Sequence, residues 1–473
     1  MTLPVFPTLR IHPDKLEAMG AFAEAQAAWL SPQPDLVRQL DAALEANNVG
    51  VVAHFYMDPQ LQGVLSACQW PHIHISDSLV MADRAVAMAE AGVKDVIVLG
   101  VDFMSENVRA MLDAAGHEGV GVYRATAEAI GCSLAESAEA RAYGAYLTQA
   151  AAAGPALHVV YINTSLLTKA RAHHLVPTLT CTSSNVVQTI LQAFAQIPEL
   201  TVFFGPDTYM GGNLQAMFRR YAQLSDDEIR ALHPAHDRAS MAKVAAGLRI
   251  FNQGTCVVHH MFGADVVGLV REHYEDAHIT AHLEVPGEMF ALAAERVSEG
   301  TGVVGSTSNI LSFMLDQVRR AGSGAAPRFV LGTEAGMITP IVRQVQELLR
   351  QGSQAEFVDV VFPVSSQAVA MTGQEDLPIV PGVAGGEGCS TAGGCATCPF
   401  MKMNSLRNMR AVLGRIERGE RDALQPFTPR VYSERVAGRS VAEVGSEPIL
   451  HMRAFSQTGA LPDALVSDVL ARA

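Results

Sequence analysis

Short apolar runs that end in polar groups recur along this chain, separated by stretches of helical period. Gly50-Val-Val-Ala-His54-Phe-Tyr56 is the first, followed by His72-Ile-His-Ile75 running into Ser76-Asp77-Ser78. Asp95-Val-Ile-Val-Leu99 ends in Gly100-Val-Asp102-Phe-Met104, and Val120-Gly-Val-Tyr123 leads to Gly131-Cys132-Ser133. Runs this short and this continuously apolar predict strands buried on both faces of a parallel sheet, and the periodic stretches between them predict crossover helices. Residues 1–47 read as an N-terminal helical extension, with helical stretches near Asp14–Trp29 and Pro34–Ala46.

The same order then repeats twice. Leu157-His-Val-Val-Tyr161-Ile-Asn163 precedes Thr182-Ser183-Ser184-Asn185, then Thr201-Val-Phe-Phe204 and Gly205-Pro-Asp207, and the pass closes on Gly254-Thr-Cys256. The third pass runs from Ile279-Thr-Ala-His282-Leu-Glu284 through Gly305-Ser306-Thr307-Ser308 and Phe329-Val-Leu331 to Gly332-Thr-Glu334. It ends in the cysteine-rich stretch Cys389–Cys398. A period of about 110–120 residues is too long for a solenoid. It predicts three copies of one α/β domain, over 48–140, 141–260 and 261–402, with a C-terminal extension over 403–473.

Composition narrows the class. The chain has 473 residues, 49% hydrophobic and 17% charged, which suits a well-buried α/β enzyme and argues against disorder. A net charge of −14 disfavours nucleic acid and anionic membranes as partners. No apolar run reaches the ~18 residues of a spanning helix. The N-terminus lacks the order of a signal peptide, and seven cysteines fit a reducing compartment. The expectation is a cytoplasmic protein.

The repeat organises the candidate chemistry. Each copy carries an imidazole or phenol, a hydroxyl turn, a glycine followed by an acid, and a cysteine. Three thiolates, from Cys132, Cys256 and one of Cys389, Cys395 and Cys398, would leave a [4Fe–4S] cluster with one iron open to act as a Lewis acid. Hydroxyl turns at Ser76/Ser78, Thr182/Ser183 and Ser306/Thr307 can aim donors at an anion, although one such turn alone is an ordinary helix cap. His54, Tyr56, Tyr161, His259, His282 and Glu284 supply proton donors and acceptors. Cys68 and Cys181 have no repeat partners and read as buried thiols. Arg407, Arg410 and Arg415 read as a solvated helix face. Other readings are an aconitase-like open-iron dehydratase and a redox sensor built on Cys395-Ala-Thr-Cys398. No Gly-x-Gly-x-x-Gly follows a strand, which argues against a dinucleotide site.

With these segments in place, the chain resembles the quinolinate synthases along nearly its whole length. The resemblance rests on Ala53-His-Phe-Tyr56, Ser76-Asp-Ser-Leu79, Phe103-Met-Ser-Glu106, Gly131-Cys-Ser-Leu134 and Tyr161-Ile-Asn-Thr-Ser165. It continues through Thr182-Ser-Ser-Asn185, Cys256-Val-Val-His259, His282-Leu-Glu284, Gly305-Ser-Thr307 and Cys398-Pro-Phe-Met401. The wording is nearest the plant and cyanobacterial type, without the sulfur-transfer activator domain fused in plants. The resemblance implies an α/β fold of three similar three-layer α/β/α domains in pseudo-threefold arrangement around a central iron–sulfur cluster. It also implies condensation of iminoaspartate with dihydroxyacetone phosphate to quinolinate in NAD biosynthesis, with phosphate and water lost. The implied cluster ligands are Cys132, Cys256 and Cys398. His54, Ser78, Tyr161, Asn163, Ser183, His259, Ser306 and Thr307 would hold carboxylates and phosphate. Tyr56 and Glu284 would move protons, and His282 would orient substrate. An aspartate-oxidising enzyme and cluster-assembly proteins are the implied functional partners. The common His-Pro-Glu reads His282-Leu283-Glu284 here, which predicts a looser local backbone.

Overall fold

The computed structural model describes residues 4–364 and 398–473. Cys389 and Cys395 lie outside the described residues. The chain divides into two compact units, one of Met1–Ile130 with Val257–Pro429 and one of Gly131–Cys256 with Arg430–Ala473.

The first unit opens with β1 (Thr8–Ile11) and β2 (Leu16–Met19), an antiparallel pair. Part of the stretch expected to be helical is therefore strand. Leu9 and Ile11 alternate inward at the strand period, and Gly20, at φ +95, breaks the chain before the helix Ala21–Trp29 begins. Next come β3 (Val49–His54), β4 (Ile73–Ser76), β5 (Asp95–Leu99) and β6 (Gly121–Arg124), a parallel sheet in the order β4-β3-β5-β6. Every residue of β3 and β5 is buried, as expected for strands with both faces covered.

The second unit holds β7 (Ala156–Tyr161), β8 (Thr178–Cys181), β9 (Thr201–Gly205) and β10 (Leu248–Ile250), parallel in the order β10-β9-β7-β8. Its long helix Val441–Thr458 lies on the helix Leu166–Leu175. The approach is so close that a Cβ on Gly445 would stand 2.4 Å from the Leu166 carbonyl oxygen.

Back in the first unit, β11 (His278–His282), β12 (Gly302–Gly305), β13 (Arg328–Gly332) and β14 (Val358–Val361) are parallel to one another. They join β1 and β2 in a six-stranded sheet ordered β12-β11-β13-β14-β1-β2. Arg10 and buried Asp359, directly opposite across β1 and β14, make a two-point ion pair at 2.8 and 3.1 Å that fixes this register. The α/β expectation is borne out, and no described helix is long and apolar enough to cross a membrane.

The repeat survives at the level of individual hydrogen bonds. In each of the three larger sheets the residue after the first strand of the pass donates its N–H to the last residue of the neighbouring strand. Phe55 donates to the Ser76 carbonyl (3.2 Å), Ile162 to Cys181 (2.9 Å) and Leu283 to Gly305 (3.1 Å). Strand ends of parallel sheets gather functional groups at their carboxyl edges, and all three candidate turns sit there.

Candidate active site

In the first unit, β3 and β11 end in the same small device. The Tyr56 N–H donates to His54 Nδ1 at 3.2 Å, and the Glu284 N–H donates to His282 Nδ1 at 3.3 Å. Each imidazole thus accepts at Nδ1 and keeps its proton at Nε2. Burial pushes both rings down to about 4, against a pull upward from Glu284, so both are neutral at neutral pH. The expectation of a loose backbone at Leu283 is corrected here: its N–H makes the bond to Gly305 that a proline could not make.

Around these turns the other imidazole and the acids converge. His259, on a short helical turn over His259–Met261, stacks on His282 with ring centres 4.9 Å apart and planes 12° from parallel. Its Nδ1 lies 2.8 Å from Glu284 Oε2, and Glu284 Oε1 lies 3.9 Å from His282 Nδ1. His54 and Tyr56 meet edge to face at 4.7 Å, and Tyr56 stands 6.4 Å from the His259 ring. All of these except Tyr56 are buried. Four side chains expected to act in catalysis (Tyr56, Glu284, His54 and His282) therefore share one nearly dry cluster.

Two members were not singled out as site residues by sequence. Thr333 Oγ1 lies 3.4 Å from the Tyr56 hydroxyl, and Glu334 Oε1 accepts the Cys398 N–H at 2.7 Å. Both follow β13, so one turn touches the phenol and the cysteine segment. Burial raises the Glu334 carboxyl well above the usual range; the Cys398 N–H opposes this and the charge of Glu284 adds to it. The only sequence signal was Glu334's place in the third pass. A Cβ on Gly336 would stand 2.4 Å from the Phe55 carbonyl oxygen, so the turn after Glu334 packs directly on the Tyr56 backbone.

The hydroxyl turns divide differently from their simple reading. Asp77, whose carboxylate accepts from Leu79 and Val80, caps the helix Ser78–Glu90 and leaves Ser78 in its first turn. Ser306 caps the helix Thr307–Arg320, with its hydroxyl engaged by Asn309 at 2.7 Å. Thr307 opens that helix and is buried.

The second unit brings together a different set. Cys132 precedes the helix Ser133–Glu139, and the Ser133 hydroxyl donates to the Thr255 carbonyl at 2.9 Å. This ties the segment after Cys132 to the segment before Cys256. Gly254 makes two bonds with Thr208, one through each residue's N–H, and sits where a Cβ would be 2.2 Å from the Pro206 carbonyl oxygen. Tyr161 ends β7, beside Cys181 of β8, and Asn163 and Ser183 follow the two strands. No disulfide joins the five described cysteines. Cys132, Cys256 and Cys398 are partly exposed, whereas Cys181 is buried and its thiol is pushed far up by burial. Burial also pushes Cys68 up to about 12, with Asp41 adding to it. A thiol so raised stays protonated and is a poor ligand.

The family model for quinolinate synthetase A protein matches residues 38–422. A chloroplastic quinolinate synthase of Nicotiana tabacum is 52% identical over 99% of this chain and 67% of its own length. One of Arabidopsis thaliana is 53% identical over 98% of this chain and 67% of its own. A quinolinate synthase of Thermosynechococcus vestitus is 26% identical over 81% of this chain and 89% of its own. The chain thus spans about two thirds of the length of its plant relatives. The names of those relatives overturn the cytoplasmic expectation, because neither composition nor cysteine usage separates cytosol from plastid. On a family match covering most of its length, the chain belongs to the quinolinate synthetase A family.

Proposed function

We propose that this chain condenses iminoaspartate with dihydroxyacetone phosphate to quinolinate, releasing phosphate and water, in NAD biosynthesis. The observation that carries the chemistry is the largely buried His54–Tyr56–His259–His282–Glu284 cluster, where a carboxylate lies 2.8 Å from one imidazole and beside another. Enolisation, imine formation and ring closure all require protons to be moved between neighbouring atoms, and buried acid–base pairs suit that work. Glu284 serves as the base and Tyr56 as the partner acid, with the Tyr56 hydroxyl steadied by Thr333. His54 and His282 are neutral donors at Nε2 that can hold a carboxylate without adding charge. Ser78, Ser306 and Thr307 in this unit, and Tyr161, Asn163 and Ser183 in the other, are assigned to the substrate's carboxylates and phosphate.

Cys132, Cys256 and Cys398 are the proposed ligands of a [4Fe–4S] cluster. The donor set fits: three partly exposed thiols outside any disulfide, two on segments tied by Ser133 and Thr255 and one whose amide is held by Glu334. When bound, such a cluster with three protein ligands supplies an open iron as a Lewis acid. The pseudo-threefold arrangement of three domains around it belongs to this proposal. So does the supply of iminoaspartate, unstable in water, by an aspartate-oxidising enzyme, and of the cluster by assembly proteins.

The test is anaerobic. Purified protein should hold about four irons per chain, form quinolinate from the two substrates, and lose both properties in Cys132→Ala, Cys256→Ala and Cys398→Ala. An intact cluster with no quinolinate formed, but turnover of another polycarboxylate, would favour an aconitase-like dehydratase.

A further inference from the structure

Lys169 is the one lysine among the largest fully buried side chains of the described residues. It lies within the helix Leu166–Leu175, and its ammonium points back at the turn that follows β7. There it donates to the Ile162 carbonyl at 3.2 Å and to the Thr164 carbonyl. Burying an ammonium is expensive unless it is well bonded, so this placement constrains the turn strongly.

The two carbonyls flank Asn163. Both peptide bonds are trans, so each N–H points opposite to its carbonyl. With the Ile162 and Thr164 carbonyls drawn to Lys169, the amides of Asn163 and Ser165 face away from it. The neighbouring amides are engaged: Ile162 donates to Cys181 and Thr164 to Ile162. The Asn163 and Ser165 N–H groups donate to no described residue, although Ser165 is buried. Buried amides without partners are rare, and that of buried Ser165, with that of partly exposed Asn163 on the other side of Thr164, makes a ready anion-binding edge.

We propose that Lys169 is a positioning residue that holds the Asn163 and Ser165 amides outward to receive an anionic oxygen of the substrate. This rests on the reading that Asn163 lies at the substrate site. Lys169 itself acts from the far side of the turn, through the two carbonyls. The ligand is a carboxylate or phosphate oxygen, and the experiment separates them.

Amide hydrogen exchange of the anaerobic, cluster-loaded protein, read by mass spectrometry on a peptide spanning 160–166, is the test. Quinolinate and glycerol 3-phosphate are the probes, with binding of each followed independently by calorimetry. Protection of two amides by quinolinate assigns the edge to a carboxylate, and protection by glycerol 3-phosphate assigns it to phosphate. If quinolinate binds and neither probe protects these amides, the inference fails while the functional reading stands. If neither probe binds at all, the functional reading fails and takes the inference with it. Lys169→Met should weaken quinolinate binding about tenfold or more, in line with loss of charged hydrogen bonds, and Lys169→Arg should recover part of it. A folded Lys169→Met protein with unchanged affinity and unchanged exchange overturns the proposal. If that variant does not fold, the exchange result on the unaltered protein decides.

Discussion

The two compact units use the same strand-end turn for different purposes. After β3 and β11 in the first unit, the turn presents an imidazole whose Nδ1 is bonded by the amide two residues on. After β7 in the second, Tyr161 takes the place of the imidazole, and a buried ammonium organises the backbone instead. The first unit therefore concentrates titratable side chains: three imidazoles, Glu284, Glu334 and a phenol. The second has a single hydroxyl turn, the backbone donors beside Asn163, and two of the three candidate thiols. One local geometry, repeated, can be specialised by changing only the side chain at its apex. On the proposed reading, acid–base chemistry falls to the first unit and two of the three thiol ligands to the second, with anion-holding groups in both.

The sharpest break between the two comes from glycine replacements that strike equivalent weak points. Gly254→Ala and Gly336→Ala each force a Cβ within 2.2 or 2.4 Å of a carbonyl oxygen. Each should cost about 1–3 kcal/mol as a local overpacking. If the division holds, Gly254→Ala lowers iron retention first, because it disturbs the Cys256 segment. Gly336→Ala instead lowers turnover at full iron content, because it displaces the Tyr56 backbone. Iron assay beside single-substrate kinetics distinguishes them, and identical profiles would erase the comparison.

Acid should blur the difference. His54 and His282 in the first unit are pushed down to about 4, and His158 in the second to about 3, each chiefly by burial. Above pH 6.5 these groups are neutral whether the chain is folded or not, so stability is unaffected. As pH falls below 6.5 the unfolded chain takes up protons that the buried rings refuse, and stability is lost progressively toward pH 4, by a few kcal/mol for each ring as an order of magnitude. Denaturant melts at pH 7 and pH 5 should show this loss, and His158→Asn should reduce it. A flat stability between those values contradicts the burial argument.

The smallest effect is expected at Leu283→Pro. It removes the N–H bond to Gly305, worth about 1 kcal/mol, and returns part of that by stiffening the unfolded chain. Net stability should shift by no more than about 1 kcal/mol, with turnover nearly unchanged. A collapse of activity would mean that the amide bond itself positions Glu284.

Much of this layout was legible in sequence because buried parallel strands are nearly continuous apolar runs. The strand Asp95–Leu99 agrees at both ends, and the polar residues that close each run mark the carboxyl edges. The N-terminal strands were missed because Thr8–Ile11 and Leu16–Met19 are short, and β1 pairs with β14 some 350 residues away, where no local pattern can announce it. Lys169 was missed for a related reason. A lysine in a helix is ordinarily solvated, and only the tertiary packing of Leu166–Leu175 on its neighbours encloses it. Glu334 stood in the repeat but had no visible partner until the fold brought Cys398 to it.

The central claim is that Glu284 does acid–base work and does not hold metal. Glu284→Gln tests it most directly, with iron, sulfide, quinolinate binding and turnover measured anaerobically on one preparation. The account predicts about four irons per chain, quinolinate bound, and turnover reduced about 10²–10⁴-fold, as for loss of a general base. Loss of iron, or turnover near that of the unaltered protein, would contradict it.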